Sequence, residues 1–264
     1  MPKKETITSL QQAKGKRKIV MITAYDALFA SLFSESADII LVGDSLNMSF
    51  NGKADTLSVT LDQMIYHTQA VCNGAPNTFV VCDMPFGSTN TKEEALTNAV
   101  KVFQQTGADA VKIEGGCNRA ELIKHLTDNA IAVMGHIGLL PQSVRSEGGY
   151  KVKGRDENSF EQIIEDAKAI EEAGAFAIVV EGVTPNLGAM VTQSVNIPVI
   201  GIGAGKLTDG QVLVWSDMLG FFEEFKPKFV KRYLEGAKLV KEAVKNYKQE
   251  VESGVFPAEE HTYK

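Results

Sequence analysis

Seven polar side chains stand where short apolar runs end: Asp44 and Ser45, Asp83, Lys112 and Glu114, His136, and Glu181. Alternate residues of an extended strand share a face. Lys112 and Glu114 therefore point the same way, as do Val42 and Asp44, Val81 and Asp83, and Val179 and Glu181. If the valine of each pair packs inward, four carboxylates gather in one partly dry space. They would repel strongly unless a cation, a proton or the Lys112 ammonium offsets them. Oxygen donors, without a Cys/His spacing suited to zinc, predict Mg²⁺ or a related hard cation. A single acid at a strand end often only caps the next helix, and Asp26 is read that way. Four such acids fit independent capping poorly. Lys112, inside the apolar run AVKIEG, is expected to be buried and paired, and His136 is either a satisfied core histidine or a substrate contact. His67 and His125 fall in helical stretches and His261 near the tail, where structural or solvated roles are expected.

The elements that must carry these residues alternate regularly. Val- and Ile-rich runs at 19–25, 39–45, 78–84, 108–115, 131–138, 175–182, 197–205 and, more weakly, 211–217 read as parallel strands buried on both faces. Between them lie helical stretches with start signals at Thr60-x-x-Gln63, Thr91-x-x-Glu94 and Ser159-x-x-Gln162, and with stop signals at Gly74, Gly107 and Gly174. Eight strands in this alternation predict an α/β fold of the (β/α)8 TIM-barrel type, whose active site lies at the carboxyl ends of the strands. An open doubly wound sheet is the alternative, but it expects a glycine-rich first turn, and here that turn is TAYDALF. The gap at 206–210 is too short for a helix, so the barrel should be irregular there. Residues 1–264 are read as one domain, with 1–18 closing the bottom, an amphipathic helix at 227–252 and a tail to 264.

Composition narrows the function. Lys plus Arg is 27 against 33 Asp plus Glu, a net charge of −6 that argues against nucleic-acid binding. No run is long and apolar enough for a membrane span, and the charged start lacks a signal peptide's apolar stretch. Three cysteines make no disulfide framework; they look like small core residues, and Cys82 should face away from Asp83. A soluble, cytoplasmic protein acting on small molecules is expected. GIGAG (201–205) could cradle an anion or could be a close-packed turn, and the long segment 137–158, with Gly148–Gly149 and Lys151, Lys153 and Arg155, reads as a lid or binding loop.

Several longer blocks carry a resemblance. VGDSLNM (42–48), TLDQMIYHTQAV (60–71), VVCDMPFGS (80–88), VKIEGG (111–116), GHIGLLPQSV (135–144), GGYKVKGR (148–155), VVEGV (179–183) and PKFVKRY (227–233) resemble, in order, the ketopantoate hydroxymethyltransferase family. The departures are Asn47 for a usual glycine, Leu140 for a usual threonine and Arg145 for a common asparagine. The resemblance implies a (β/α)8 barrel, a homodecamer of two stacked five-membered rings, and one Mg²⁺ per subunit. It implies hydroxymethyl transfer from 5,10-methylenetetrahydrofolate to 3-methyl-2-oxobutanoate, giving 2-dehydropantoate for pantothenate synthesis. By the same resemblance Asp44, Asp83 and Glu114 are magnesium sites, Ser45 and Lys112 with Asp44 and Asp83 hold the oxoacid, His136 lines that pocket, and Glu181 is the catalytic base. The competing readings are a Mg²⁺-dependent carbon–carbon lyase or phosphonomutase barrel, and a non-catalytic metabolite-binding barrel. The lyase would want an activated cysteine or other acid near the scissile bond, and nothing around Cys117 suggests activation; the binding barrel would have lost one or more strand-end acids, and all are present.

Overall fold

The computed structural model describes residues 4–223 and 226–263, which fall into two compact units dividing between Val214 and Trp215. In the first unit eight strands form a closed, all-parallel barrel, β1 (Ile19–Thr23), β2 (Ile39–Val42), β3 (Phe79–Asp83), β4 (Ala110–Glu114), β5 (Val133–Gly138), β6 (Ala177–Glu181), β7 (Val199–Ile202) and β8 (Gly210–Leu213). Each pairs with the next, and β8 returns to β1 with Ile19 opposite Gly210. Helix α1 (Ile7–Ala13) precedes the barrel. Helices α2 (Ala27–Phe33), α3 (Leu46–Ser49), α4 (Leu61–Gly74), α5 (Lys92–Gln105), α6 (Ala120–Asp128), α7 (Glu157–Glu172) and α8 (Pro185–Ser194) follow the first six strands in turn. No helix stands between β7 and β8, as the short gap predicts.

The barrel interior explains where the chemistry sits. Ile39 and Leu41 of β2, Val81 of β3, Ala110 of β4, Met134 of β5 and Val179 of β6 belong to one buried cluster, with Leu10 and Ala13 of α1 in the same cluster. Two residues further along the same face come Asp83, Lys112, His136 and Glu181. The lumen therefore changes from aliphatic to charged at one level, toward the carboxyl ends. Lys14 is tied to the far end of the chain: its ammonium donates to the carbonyls of Thr192 and Ile197, each at 2.9 Å, and to Asp209 Oδ2 at 2.8 Å.

One expected pair does not hold. In β2 the inward residue is Leu41 rather than Val42, so Val42 and Asp44 do not share a strand face. The strand ends at Val42 and the chain turns, with Leu46 N donating to Gly43 O and Asn47 N to Asp44 O, both at 3.0 Å. Asp44 reaches the barrel mouth through that turn. Cys82 does point outward, accepting from Thr68 Oγ1 of α4 at 3.2 Å.

The helix signals hold in part. Thr60 and Gln63 form the reciprocal box on α4. Thr91 caps α5, but the Glu94 carboxylate takes the N–H of Asn90 instead of closing the box. Helix α7 starts earlier than the Ser159 signal: Asp156 is its cap, accepting from Ser159 N at 2.9 Å, and the Ser159 hydroxyl accepts from Gly154 N at 3.0 Å. Gly174 follows α7 with φ +91°, the left-handed conformation a helix stop favours. Gly74 and Gly107 are not left-handed. Gly74 answers to space instead, since a Cβ there would lie 2.1 Å from the Ala27 carbonyl of α2.

The second unit holds α9 (Trp215–Met218) and α10 (Gly236–Ser253). The predicted helix at 227–252 thus begins only at Gly236. The chain up to that first residue is bonded elsewhere, Tyr233 N–H donating to Met218 O and Gly236 N–H to Leu219 O, both at 2.8 Å. Among the described residues no helix is long and apolar enough to cross a membrane.

Candidate active site

Strand register sets the neighbours at the mouth: Asp83 lies opposite Lys112 across β3 and β4, and Glu114 opposite His136 across β4 and β5. Lys112 Nζ is 2.9 Å from Asp83 Oδ1 and 3.0 Å from His136 Nδ1. A protonated amine can only donate, so in the neutral form of His136 Nδ1 is the acceptor and the ring proton sits on Nε2. That nitrogen is 3.2 Å from Glu181 Oε2. Asp83, Lys112, His136 and Glu181 therefore form one polar chain across β3 to β6, and Glu114 Oε1 stands 3.6 Å from His136 Nδ1 beside it. Ser45 completes the rim, its Oγ 2.7 Å from the Tyr25 hydroxyl. All seven residues singled out from the sequence meet at this mouth.

The electrostatics are uneven. Burial, then the charges of Asp83 and Glu114, push the Asp44 carboxyl well above the usual carboxylate range, against the opposing pull of Lys112 and the Gln142 amide. Asp83 is also raised by burial, with Lys112 and the Asp44 N–H working the other way. Burial would raise Glu114 too, but His136, Lys112 and the Gln142 N–H outweigh it and the net shift is downward. Burial would discharge Lys112, yet Asp83, Glu114 and Asp44 hold its pKa above the ordinary lysine value. For His136, burial and Lys112 push down while Glu114 and Glu181 push up, and the upward effect prevails. One ammonium thus serves three buried carboxylates, and Asp44 is left with the largest unmet charge.

This imbalance bears on a cation. Among the described residues no three His, Cys, Asp or Glu side chains are already gathered into a cage for a metal ion. Mg²⁺ seldom uses such a cage; it takes one or two carboxylates and completes its shell with substrate oxygens and water. An all-oxygen donor set with Asp44 short of positive charge fits that cation.

Two residues that composition and pattern did not single out also enter the site. Gln142, in a 3-10 turn (Pro141–Ser143) after β5, donates from Nε2 to Asp44 Oδ2 at 2.8 Å and to Met84 O at 3.0 Å, and from its backbone N to Glu114 Oε2 at 3.0 Å. Tyr25, fully buried, orients Ser45. An apolar run ending in Tyr25 was the one sequence signal for the latter; a neutral glutamine in a loop gave none.

Residues 4–259 match the family model described as ketopantoate hydroxymethyltransferase. The chain belongs to that family. The 3-methyl-2-oxobutanoate hydroxymethyltransferase of Aliarcobacter butzleri is 65% identical over 260 residues, with 98% of this chain and 97% of that protein covered. The protein of the same name in Sulfurimonas denitrificans is 64% identical over 263 residues, with both chains covered in full. Among solved structures, 2,3-dimethylmalate lyase aligns with a TM-score of 0.64 at 18% identity, covering 92% of this chain and 87% of that one. Phosphoenolpyruvate phosphomutase from Streptomyces platensis aligns with a TM-score of 0.64 at 14% identity, covering 98% and 92%. At such identities the lyase and mutase likeness is one of fold, and the ketopantoate hydroxymethyltransferase family is the chain's own.

Other signals in this family member resolve structurally. Asp26 caps α2, accepting from Phe29 N at 2.9 Å. GIGAG is a close-packed turn: Gly205 has φ +84°, and a Cβ on it would lie 2.8 Å from Pro185 Cβ. Burial and the neighbouring Asp166 push the Cys117 thiol up, the opposite of activation. In the segment after β5, Lys153 pairs with Glu147 and Lys151 Nζ donates to the Glu147 carbonyl at 3.0 Å, so both cations are spent within the loop. The hydrogen bonds of Gln142 to Asp44 and Glu114 hold the start of this loop at the mouth, and burial, then Asp55, Glu181, Asp44 and Glu114, push the hydroxyl of its Tyr150 up.

Proposed function

We propose that this enzyme transfers a hydroxymethyl group from 5,10-methylenetetrahydrofolate to 3-methyl-2-oxobutanoate, giving 2-dehydropantoate, with Mg²⁺ held by Asp44, Asp83 and Glu114. The observation that carries this reading is Glu181, its Oε2 3.2 Å from His136 Nε2 and set beside buried carboxylates that lack a full complement of positive charge. Mg²⁺ held there would supply Lewis acidity toward the oxoacid, which would make its C3–H acidic enough to remove. Ser45 and Lys112, with Asp44 and Asp83, hold the oxoacid; the Lys112 ammonium places a fixed positive charge beside its oxygens. Glu181 takes the C3 proton. His136 stands beside that carboxylate, its Nε2 3.2 Å from Glu181 Oε2. Opening of the folate ring breaks the methylene–N10 bond, with the proton taken from C3 passing to N10; the enolate carbon bonds to the methylene carbon left on N5, and water then breaks the methylene–N5 bond, its hydroxyl staying on carbon and its proton going to N5 of the departing tetrahydrofolate. The same reading makes the protein a cytoplasmic homodecamer in pantothenate synthesis.

Proton NMR of 3-methyl-2-oxobutanoate in D₂O tests the first half alone. With protein and Mg²⁺ but no folate, the C3–H signal should disappear, and chelating the metal should stop the loss. No exchange under these conditions, together with no 2-dehydropantoate once tetrahydrofolate and formaldehyde are added, would dismiss the assignment.

A stability measurement probes the metal site independently. Because Asp44 is raised when folded, the native state binds more protons than the unfolded chain between the two pKa values, and stability falls as pH rises through that window. In chelator, Asp44→Asn should therefore melt higher than the parent at pH 8, with a smaller difference at pH 5. Each kcal/mol would appear as about 2–4 °C in Tm. Mg²⁺ should raise the Tm of the parent at pH 8 and leave the variant unmoved. A variant that melts lower at pH 8 would mean that Asp44 is not the strained carboxylate.

A further inference from the structure

We infer that Gln142 is a positioning residue that sets the Asp44 and Glu114 carboxylates for the metal and couples their arrangement to the loop over the mouth; this rests on the Mg²⁺ reading above. The geometry is specific. The two N–H bonds of the Gln142 amide divide between Asp44 Oδ2 at 2.8 Å and the Met84 carbonyl at 3.0 Å, while its backbone N–H donates to Glu114 Oε2 at 3.0 Å. One residue of the loop after β5 thereby reaches the ends of β2, β3 and β4. The Met84 contact fixes the amide plane, so the other N–H has one direction left, toward Asp44. An amide suits this place because it donates twice without adding charge among three acids that repel one another. A lysine would compete with a cation for Asp44, and a glutamate would add a fourth acid.

The same loop has a second, outer tie. Three residues on, the Arg145 guanidinium donates to Asp55 Oδ2 from Nε at 3.1 Å and from Nη2 at 2.9 Å, and Asn47 Nδ2 holds the Asp55 carbonyl at 2.8 Å. Arg145 is exposed and touches none of the carboxylates at the mouth. The two ties therefore separate the effect of anchoring the loop from the effect of donating to the ligand carboxylates. Partners that hydrogen-bond a ligating carboxylate commonly govern metal affinity through its orientation.

The test compares Gln142→Leu, Gln142→Ala and Arg145→Ala with the parent, using Mg²⁺ titration calorimetry in the presence of 3-methyl-2-oxobutanoate and amide hydrogen exchange across residues 139–156. Gln142→Ala keeps the backbone N–H on Glu114 and serves if the leucine variant does not fold. The Gln142 variants should lose Mg²⁺ affinity on the order of 10- to 100-fold and exchange faster in the loop. Arg145→Ala should also exchange faster but bind Mg²⁺ as the parent does. Parent-like Mg²⁺ affinity in the Gln142 variants would overturn the inference, as would an equal loss in Arg145→Ala, which would trace the effect to loop anchoring. A parent protein that takes up no Mg²⁺ would overturn the functional reading itself, and this inference with it.

Discussion

Glu181→Gln is expected to fold as the parent does, to bind 3-methyl-2-oxobutanoate and Mg²⁺, and to lose turnover by about 10²–10⁴-fold, the usual contribution of a positioned general base. The substitution keeps the shape of the side chain and an oxygen at the place that now stands 3.2 Å from His136 Nε2. What disappears is basicity. Glu181 is partly open to solvent, with 19% of its side chain exposed, so losing its charge should disturb the fold little. The C3–H exchange assay isolates the step, because it needs neither folate nor product release. Exchange at the parental rate would move the base elsewhere, and His136 would be the next group to replace.

The second large effect is on stability. Lys112→Met removes the one ammonium that lies among Asp83, Asp44 and Glu114 and keeps a side chain of similar length. The lysine is 4% exposed, so water cannot take over its role. Breaking a buried ion pair from one side leaves the other charge uncompensated, which costs about 3–5 kcal/mol. The sign with pH follows from the raised lysine pKa. Its contribution is complete below the unfolded value of about 10.4 and is lost only as pH rises through the higher folded value, so the parent has it in full near neutrality. In the variant the stranded carboxylates regain neutrality by protonation, and the deficit in urea melts should shrink as pH falls from 8 toward 5. Equal stability of variant and parent at pH 8 would show that the lysine does not hold these charges.

Much of this site was visible in the amino-acid order because charge inside an apolar strand is conspicuous. Asp83, Lys112, Glu114, His136 and Glu181 each lie at the end of a Val- or Ile-rich run; alternation says which residues share a face, and the inward packing of Val81, Ala110, Met134 and Val179 makes that face the lumen. The barrel followed from counting the runs. Asp44 was found for a partly wrong reason: the alternation stops one residue before Gly43, and nothing in VGDS marks whether the strand or the turn owns that glycine. Asp156 and Ser159 are both good capping residues, so the pattern does not choose between them; in the fold the acid takes the N–H of Ser159 while the serine lies inside α7. The start of α10 depends on main-chain bonds to Met218 and Leu219, which an amphipathic pattern cannot report. Gln142 was least legible. Its partner Asp44 is 98 positions away, and its value arises only when three strand ends converge.

The seam between β1 and β8 has a consequence for how the protein is made. Ile19 lies opposite Gly210 with its N–H donating to the Asp209 carbonyl at 2.9 Å, and Lys14 is fastened to Thr192, Ile197 and Asp209. Those contacts span most of the polypeptide, so a growing chain on the ribosome cannot form them until its final strand has been synthesised. Until then the ring stays open along that edge and the acids of the lumen remain hydrated. A stalled or truncated product ending before β8 would expose the aliphatic lining without its last stave, making it a target for chaperones rather than a smaller working enzyme.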